Sequence, residues 1–217
     1  FLILLSITIS TMSQTKVACT SDRYEKDLFP AFNKQTAEYA TARGWITEKQ
    51  SLSVDIYEPK EDTAPLRPLI ILAHGGSFVG GSKEQVAPFN VSLVKKGYVT
   101  ASIQYRLLPL NRVAQPGNVL REVVRAINDM KAAVRFFRQS AANGNPYRID
   151  PNHIFIGGVS AGAITALHVG LLDEGDKIPD VLAKIIHEEG GFAGDTGSLE
   201  NRKYSSKVSG VINLSGS

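Results

Sequence analysis

One stretch of this chain, residues 152–168, restricts the fold more than any other, because an apolar strand passes into a helix with almost no loop between them. The run His153–Ile156 is β-branched and aromatic, as in a buried strand; a glycine pair breaks it, and a helix-forming segment begins at Ala161. So sharp a turn forces strained backbone geometry on the turn residue, and its neighbours must be small. The pattern therefore predicts a strand–turn–helix unit with Ser160 at its turn.

The five residues 158–162, Gly-Val-Ser-Ala-Gly, also fit the G-x-S-x-G pattern of a nucleophile elbow. Such a turn would hold the Ser160 hydroxyl clear of the sheet, at a helix N-terminus whose free N–H groups favour developing negative charge. A glycine-rich turn with an ordinary serine is the alternative. The pentapeptide alone does not separate the two interpretations.

Length and composition indicate one well-buried domain with little net charge. The chain has 217 residues, 43% of them hydrophobic and 21% charged, with a formal charge of +3. The basic residues are dispersed, which argues against a nucleic-acid partner. The sequence contains no dinucleotide fingerprint and no metal-ligand spacing, so neither a cofactor nor a metal is predicted. Cys19 is the only cysteine, which excludes an internal disulfide bond.

The first ten residues form an apolar run without an initiator Met and without preceding basic residues. This run is too short to span a bilayer, so no stable membrane span is predicted. It is similar to the h-region of a secretory signal peptide whose first residues are missing, with cleavage after Ser13. We therefore predict a partial signal peptide at 1–13, a domain at 20–217 and a secreted or periplasmic location. An N-terminal strand is the alternative.

The rest of the chain alternates strands with helices. A strand is predicted at 52–57 with one solvated face, and the continuous apolar run 68–73 predicts a strand covered on both faces. Further strands are predicted at 98–105 and 208–214, and helices at 83–96, 118–137 and 179–189. This alternation favours a three-layer α/β domain with a largely parallel sheet. No element is assigned to residues 20–50.

The helix predicted at 118–137 is amphipathic, with apolar residues at steps of three and four. We expect its arginines to form a solvated side: Arg121, Arg125, Arg135 and Arg138.

A glycine-rich loop, residues 74–81, follows the apolar strand 68–73. A glycine pair just past a buried strand lets the backbone approach a ligand closely and direct N–H groups towards it. An ordinary glycine loop is the alternative.

Four blocks in the same order give this chain a resemblance to the carboxylesterase and lipase branch of the α/β-hydrolases. They are 52–59, 74–78, 102–109 and 129–137, the last running through 149–151 to the elbow. The chain resembles the hormone-sensitive-lipase-like esterases and the type-B carboxylesterases over roughly residues 50–170. The resemblance implies an α/β-hydrolase fold with a mostly parallel central sheet, incomplete at the C-terminus.

The resemblance also implies roles for individual residues. Ser160 would be the nucleophile, and an oxyanion hole would be formed by the backbone N–H groups of Gly75, Gly76 and Ala161. His74 would brace the glycine loop, and Gly158 and Gly162 would support the turn. Two departures from the pattern are Ser77, where a third glycine is usual, and Val159, where an acid is usual.

The family's triad follows the order Ser, then Asp or Glu, then His, on loops after later strands. The strand 208–214 is the first after the elbow, so we expect the acid and the base to be missing together with about 70–100 C-terminal residues. His153, His168 and His187 are badly placed to act as the base. The segment 173–207 is expected to cover part of the substrate cleft.

The predicted function is therefore hydrolysis of small-molecule carboxylic esters through an acyl-enzyme, with little activity in the 217-residue chain itself. A non-catalytic hydrolase-fold binding module and a peptidase or amidase on the same fold remain alternatives. Arg106 and Asp129 are expected to form a partly buried ion pair, with two separately solvated charges as the alternative. The oligomeric state is not predicted.

Overall fold

A computed structural model describes residues 22–216. The predicted signal peptide at 1–13 and Cys19 lie outside the described residues. Within them the strands are β1 Phe32–Ala42, β2 Gln50–Pro59, β3 Arg67–Ala73, β4 Val99–Ile103, β5 Ile149–Val159 and β6 Gly210–Leu214. The α-helices are α1 Ala87–Val94, α2 Asn118–Ala142, α3 Ala161–Leu171 and α4 Asp180–Glu188. Short 3-10 turns lie at Lys83–Val86, Leu110–Arg112 and Asn201–Lys203.

The strands form one mixed sheet in the order β1-β2-β4-β3-β5-β6. β1 and β2 are antiparallel, as are β2 and β4, whereas β3 is parallel to both β4 and β5, and β5 is parallel to β6. Parallel neighbours need a long crossover, and the helices supply it. The expected α/β-hydrolase architecture is confirmed, and Ser160 follows β5 at the carboxyl edge of the parallel strands.

Strand β3 shows the three layers. Leu69, Ile71 and Ala73 share a core with residues of α2 and α3, whereas Ile70 and Leu72 pack against Val86 and Leu93 on the side of α1. Alternate residues of a strand point to opposite faces, so a strand covered on both sides has to be apolar throughout. The interpretation of 68–73 is confirmed.

The solvated face expected for β2 is wrong. Asp55 and Tyr57 are as deeply buried as the apolar residues between which they alternate. The Asp55 carboxylate is paired with Lys34 at 2.7 Å and with Lys83 at 2.9 Å, which compensates its burial. Lys34 belongs to β1, an element not predicted from the polar residues 20–50. Its partners lie in other elements, so the local alternation gave no sign of this burial.

The expectation of a solvated arginine side on α2 is also wrong. Arg125 and Arg135 are buried, and residues 188–205 cover that side of the helix. Arg125 pairs with Glu189 at 2.9 Å, and Arg135 donates to the Ala193 carbonyl at 2.9 Å. Periodicity correctly separates the charged side of a helix from its apolar side, but it does not show which chain segment later covers the charges.

The predicted Arg106–Asp129 pair is confirmed, and it is buried more deeply than expected. Arg106 Nη2 lies 2.6 Å from Asp129 Oδ1, and neither residue is more than 1% exposed. The Arg106 backbone N–H donates to Asp129 Oδ2 at 2.9 Å, and the Thr196 hydroxyl donates to Asp129 Oδ1 at 2.9 Å. The pair joins the end of β4 to the middle of α2 and to the segment that covers it.

Segment 173–207 lies along α2 and reaches the carboxyl end of β1, where Gly197 N–H donates to the Thr41 carbonyl at 3.1 Å. Its helix α4 packs on α2 through Ile185 and Ile186. A role as cover of the substrate cleft remains a prediction. Among residues 22–216, no helix combines the length and the apolar character needed to cross a bilayer.

Candidate active site

Ser160 occupies the strained turn that the sequence predicts. Its backbone has φ 49° and ψ −115°, a conformation that non-glycine residues rarely adopt, and its side chain is exposed. Its N–H donates to the Leu214 carbonyl of β6 at 3.0 Å, and its carbonyl accepts the first bond of α3 from Ile164 at 2.9 Å. Bonds on both sides of the residue hold the strained turn between β5 and α3.

The glycines that flank the turn are required by close packing. A Cβ on Gly162 would lie 2.3 Å from the Ala73 carbonyl oxygen, and a Cβ on Gly158 would lie 2.5 Å from the Gly162 carbonyl carbon. Both distances are too short for any side chain, so the first turn of α3 sits directly on the ends of β3 and β5. This contact places the start of α3 beside the loop that leaves β3.

The loop after β3 lies against Ser160. A Cβ on Gly75 would be 3.5 Å from the Ser160 Cβ, so the loop and the turn are in van der Waals contact. Gly76 has φ +116°, and its carbonyl accepts from the N–H groups of Val79 and Gly80 at 3.0 and 3.1 Å. A side chain at Gly76 would meet the Gly80 carbonyl oxygen at 2.1 Å. The loop therefore folds back on itself and leaves its backbone facing the turn.

Of the three backbone donors predicted from the resemblance, Gly75 lies against Ser160 and Ala161 follows it directly in the chain, whereas their role as an oxyanion site remains a prediction. Among the described residues, the N–H groups of Gly75, Gly76 and Ala161 donate to no loop or turn acceptor. Ala161 is the first residue of α3, where helix geometry leaves the N–H unpaired. Backbone N–H groups that lack a protein acceptor can stabilise a negatively charged oxygen that comes within hydrogen-bond distance.

His74 is buried and supports the loop. Its Nδ1 lies 2.7 Å from the Gly75 carbonyl oxygen, and because a carbonyl only accepts, Nδ1 carries the proton. Nε2 then accepts from the Gln104 amide at 3.3 Å. The ring stacks on Tyr105 with centroids 4.3 Å apart, and burial lowers the pKa of His74 below its ordinary value. A neutral imidazole that is bonded on both nitrogens is suited to bracing.

The contact of His74 with Gly75 also orients the next donor. The Gly75–Gly76 peptide is trans, so its N–H points away from its C=O. Holding the Gly75 carbonyl on the buried side therefore turns the Gly76 N–H to the opposite side. One side chain thus fixes the direction of a donor that it does not touch.

Gln104, Tyr105 and Lys83 support His74, although no role was predicted for them from the sequence. The Tyr105 hydroxyl donates to the His74 carbonyl at 2.9 Å, and the Gln104 side-chain oxygen accepts from the Lys83 N–H at 3.2 Å. Lys83 in turn pairs with the buried Asp55. Gln104 and Tyr105 directly follow β4, and the general importance of the carboxyl ends of parallel strands was the available signal.

No general base adjoins Ser160 within residues 22–216. In this part of the chain no side chain is hydrogen-bonded to the Ser160 hydroxyl, and His74 is engaged as described above. His153 is exposed and bonds Asp150 at 2.7 Å; His168 bonds the Ile164 carbonyl at 2.8 Å; His187 is exposed on α4. Among the described residues, none of the four histidines is hydrogen-bonded to the Ser160 hydroxyl.

Comparison with known proteins identifies related sequences and folds. The model of the BD-FAE family matches residues 54–217. The juvenile hormone esterase of Heliothis virescens is 33% identical over 109 residues, covering 48% of this chain and 18% of that protein. The fumonisin B1 esterase of Sphingopyxis macrogoltabida is 29% identical over 137 residues, covering 60% and 24%.

Among solved structures, the thermophilic esterase Est2 of Thermogutta terrifontis superposes with a TM-score of 0.56 at 22% identity. The match covers 84% of this chain and 52% of that chain. This chain therefore spans about half the length of that solved esterase and a quarter or less of the two sequence relatives.

Proposed function

The chain belongs to the BD-FAE family of α/β-hydrolases, and on that premise we propose that it carries the nucleophile and the oxyanion site of a carboxylic ester hydrolase. The observation that carries the proposal is the juxtaposition of Ser160, strained and exposed, with the Gly75–Gly76 backbone. Retained donors on both sides of the serine favour catalysis over a binding role, because a binding module needs neither the strain nor the donors.

In the proposed reaction, the Ser160 hydroxyl oxygen attacks the ester carbonyl carbon while a general base accepts the hydroxyl proton. The carbonyl oxygen becomes negatively charged and accepts hydrogen bonds from Gly75, Gly76 and Ala161. The tetrahedral intermediate collapses, the C–O bond to the alcohol breaks, and the alcohol leaves with the proton. Water then attacks the acyl-serine by the same route, releasing the acid and restoring Ser160.

The donors contribute most when the charge develops. They are fixed by His74 and by the first turn of α3 before substrate arrives, so little reorganisation is needed in the transition state. In other hydrolases the loss of one such donor lowers kcat by about 10²–10³-fold. We propose that the general base is a histidine that follows an acid after later strands, as the family's order of serine, acid and histidine implies.

The substrate class proposed is a small carboxylic ester, which agrees with the esterase names of the two relatives from Heliothis virescens and Sphingopyxis macrogoltabida. The exposed hydroxyl of Ser160 is open to an incoming carbonyl.

The test is hydrolysis of p-nitrophenyl acetate and butyrate by the full-length protein, by its Ser160→Ala variant and by a Ser92→Ala control. Ser92 lies exposed on α1, away from the elbow. We expect Ser160→Ala to lower kcat by about 10⁶-fold and Ser92→Ala to leave it unchanged. Residues 1–217 alone should show only residual turnover, because without a base the hydroxyl stays protonated.

Undiminished turnover by Ser160→Ala would remove the nucleophile assignment. Absence of turnover in the unsubstituted full-length protein, with every activated ester tried, would favour the non-catalytic alternative. Robust turnover by residues 1–217 would show that one of the four described histidines is the base after all.

A further inference from the structure

A separate cavity of about 400 Å³ opens at the carboxyl edge of the sheet, beside the end of β1. Its charged and aromatic lining includes Arg43, Trp45, Arg112, Arg121, Arg125 and Glu189. Arg43 directly follows β1, which β2, β4 and β3 separate from β5 in the sheet, and no residue of the elbow 158–162 or of the loop 74–81 lines the cavity. This cavity is therefore distinct from the candidate active site.

Two of the arginines in the cavity already form ion pairs and stabilise part of its wall. Arg121 bonds Glu188 and Glu189 at 2.5 and 2.7 Å, and Arg125 bonds Glu189 at 2.9 Å. The Cζ atom of Arg125 also lies 4.4 Å from the centre of the Trp45 ring. These contacts join the loop after β1, α2 and the end of α4 into one preformed surface.

The two other arginines have no carboxylate partner. Within residues 22–216, neither Arg43 nor Arg112 forms an ion pair, although both line the same cavity. The Arg43 backbone is held by a 2.9 Å bond from Arg106 to its carbonyl, and the Arg112 guanidinium lies 5.7 Å from the Trp45 ring. The cavity thus presents two available guanidinium groups on a fixed frame.

We propose that this cavity binds a small oxyanion, with a carboxylate as the preferred group. A guanidinium presents its N–H donors as a planar fork that matches the two oxygens of a carboxylate. Of the four arginines that line the cavity, Arg121 and Arg125 are paired with Glu188 and Glu189, which leaves Arg43 and Arg112 as the groups that can receive an anion. Arg43 and Arg112 donate to the anion, and the Trp45 ring forms the adjoining wall.

Binding can be followed through Trp45, the only tryptophan of the chain. Citrate is titrated into residues 1–217 at constant ionic strength, with inorganic phosphate in parallel and NaCl as the screening control. We expect saturable changes in tryptophan emission with citrate and no saturable change with NaCl. Arg112→Ala and Arg43→Ala should each raise the dissociation constant for citrate about tenfold, as expected for the loss of one charged hydrogen-bond pair.

The matched control is Arg202→Ala, which removes the same charge from an exposed residue outside the cavity and should leave the dissociation constant within about twofold of the wild type. Arg112→Lys keeps the charge but loses the fork, so it should bind citrate with intermediate affinity. Equal weakening in all three alanine variants, or no saturable response to citrate or phosphate, would overturn the proposal.

A second experiment separates a substrate-borne carboxylate from a free anion. The full-length protein and its Arg112→Ala variant are assayed with p-nitrophenyl butyrate and with the mono-p-nitrophenyl ester of succinic acid. If the substrate carries the anion, the ratio of kcat/KM for succinyl over butyryl ester falls about tenfold in the variant. If the anion is free, the ratio stays constant while the loss of citrate affinity persists, which still supports the cavity as an anion site.

Discussion

The elbow around Ser160 and the covered side of α2 each contain a feature that costs free energy of folding. The surrounding structure compensates the two costs in opposite ways. At the elbow the cost is backbone strain, and it is held by glycines that let β3, β5 and α3 meet without side chains. On α2 the cost is burial of charge, and it is compensated by partners as far as 77 residues away in sequence. The elbow therefore depends on positions that lack side chains, whereas the α2 side depends on side chains and carbonyls that pair with its buried charges.

The difference shows where each region should be vulnerable. Added atoms should damage the elbow, whereas removal of one member of a pair should damage the α2 side by leaving a buried charge without a partner. Four substitutions test this contrast.

The largest effect is expected from Asp129→Ala. The substitution leaves the buried Arg106 guanidinium without its carboxylate, and loss of one member of such a pair costs about 3–5 kcal/mol. Urea unfolding of wild type and variant, followed by far-UV circular dichroism, measures the change in free energy of unfolding.

The double variant Arg106→Met with Asp129→Leu removes both charges together. We expect it to be more stable than Asp129→Ala, because no unpaired charge remains buried. A double variant that is less stable than the single one would show that packing of the two side chains, and not their charge, holds the segment on α2.

Gly162→Ala should come next, at about 3 kcal/mol, because its methyl group would lie 2.3 Å from the Ala73 carbonyl oxygen and backbone has to move. Gly175→Ala is the matched control, since a Cβ there meets nothing within 4 Å. The same unfolding measurement should show a loss only for Gly162→Ala. Equal stabilities would mean that the elbow is looser than its contacts indicate.

The variant Glu122→Gln tests the buried charges of the α2 side through the pH dependence of the free energy of unfolding. Burial raises the pKa of Glu122 to about 7 from its ordinary 4.5, although the Trp45 indole N–H and the charges of Arg106 and Arg125 act in the opposite direction. The folded state therefore binds more protons than the unfolded state between about pH 4.5 and 7. The associated stability is present below pH 4.5 and is lost as pH rises through 7.

Glutamine does not ionise, so the Glu122→Gln variant should not lose this stability as the pH rises. We expect the difference in free energy of unfolding, variant minus wild type, to grow with pH in that window by at most about 1.4 kcal/mol per pH unit. Unfolding curves at pH 5, 6, 7 and 8 provide the comparison, and subtraction removes the contributions of other titrating carboxylates such as Asp55 and Glu189. A difference that stays constant with pH would contradict the buried-acid interpretation.

The smallest effect is expected from Arg121→Ala. Arg121 pairs with Glu188 and Glu189 but is 27% exposed, so water partly replaces the lost contacts and the cost is about 1 kcal/mol or less. Raising NaCl to 1 M should narrow the gap between wild type and variant, because salt screens exposed pairs. A loss as large as that of Asp129→Ala would place Arg121 among the buried charges.

The elbow, the succession of strands and helices from β2 onwards and the family were all predicted from the sequence. Strand period, glycine position and turn sharpness are properties of adjacent residues, so 152–162 could be interpreted without knowing the rest of the fold. Even the Arg106–Asp129 pair was accessible, because both residues lie in blocks that resemble the family.

Which polar residues are buried became clear only from the packing of the folded chain. Arg125, Arg135 and Asp55 resemble solvated charges in any local window, and their burial depends on segments that the chain supplies far away in sequence. The same holds for Gln104, whose contact with His74 requires β4 to lie beside β3. A charged side chain is stable in either environment once it is paired, so its own identity does not fix its burial.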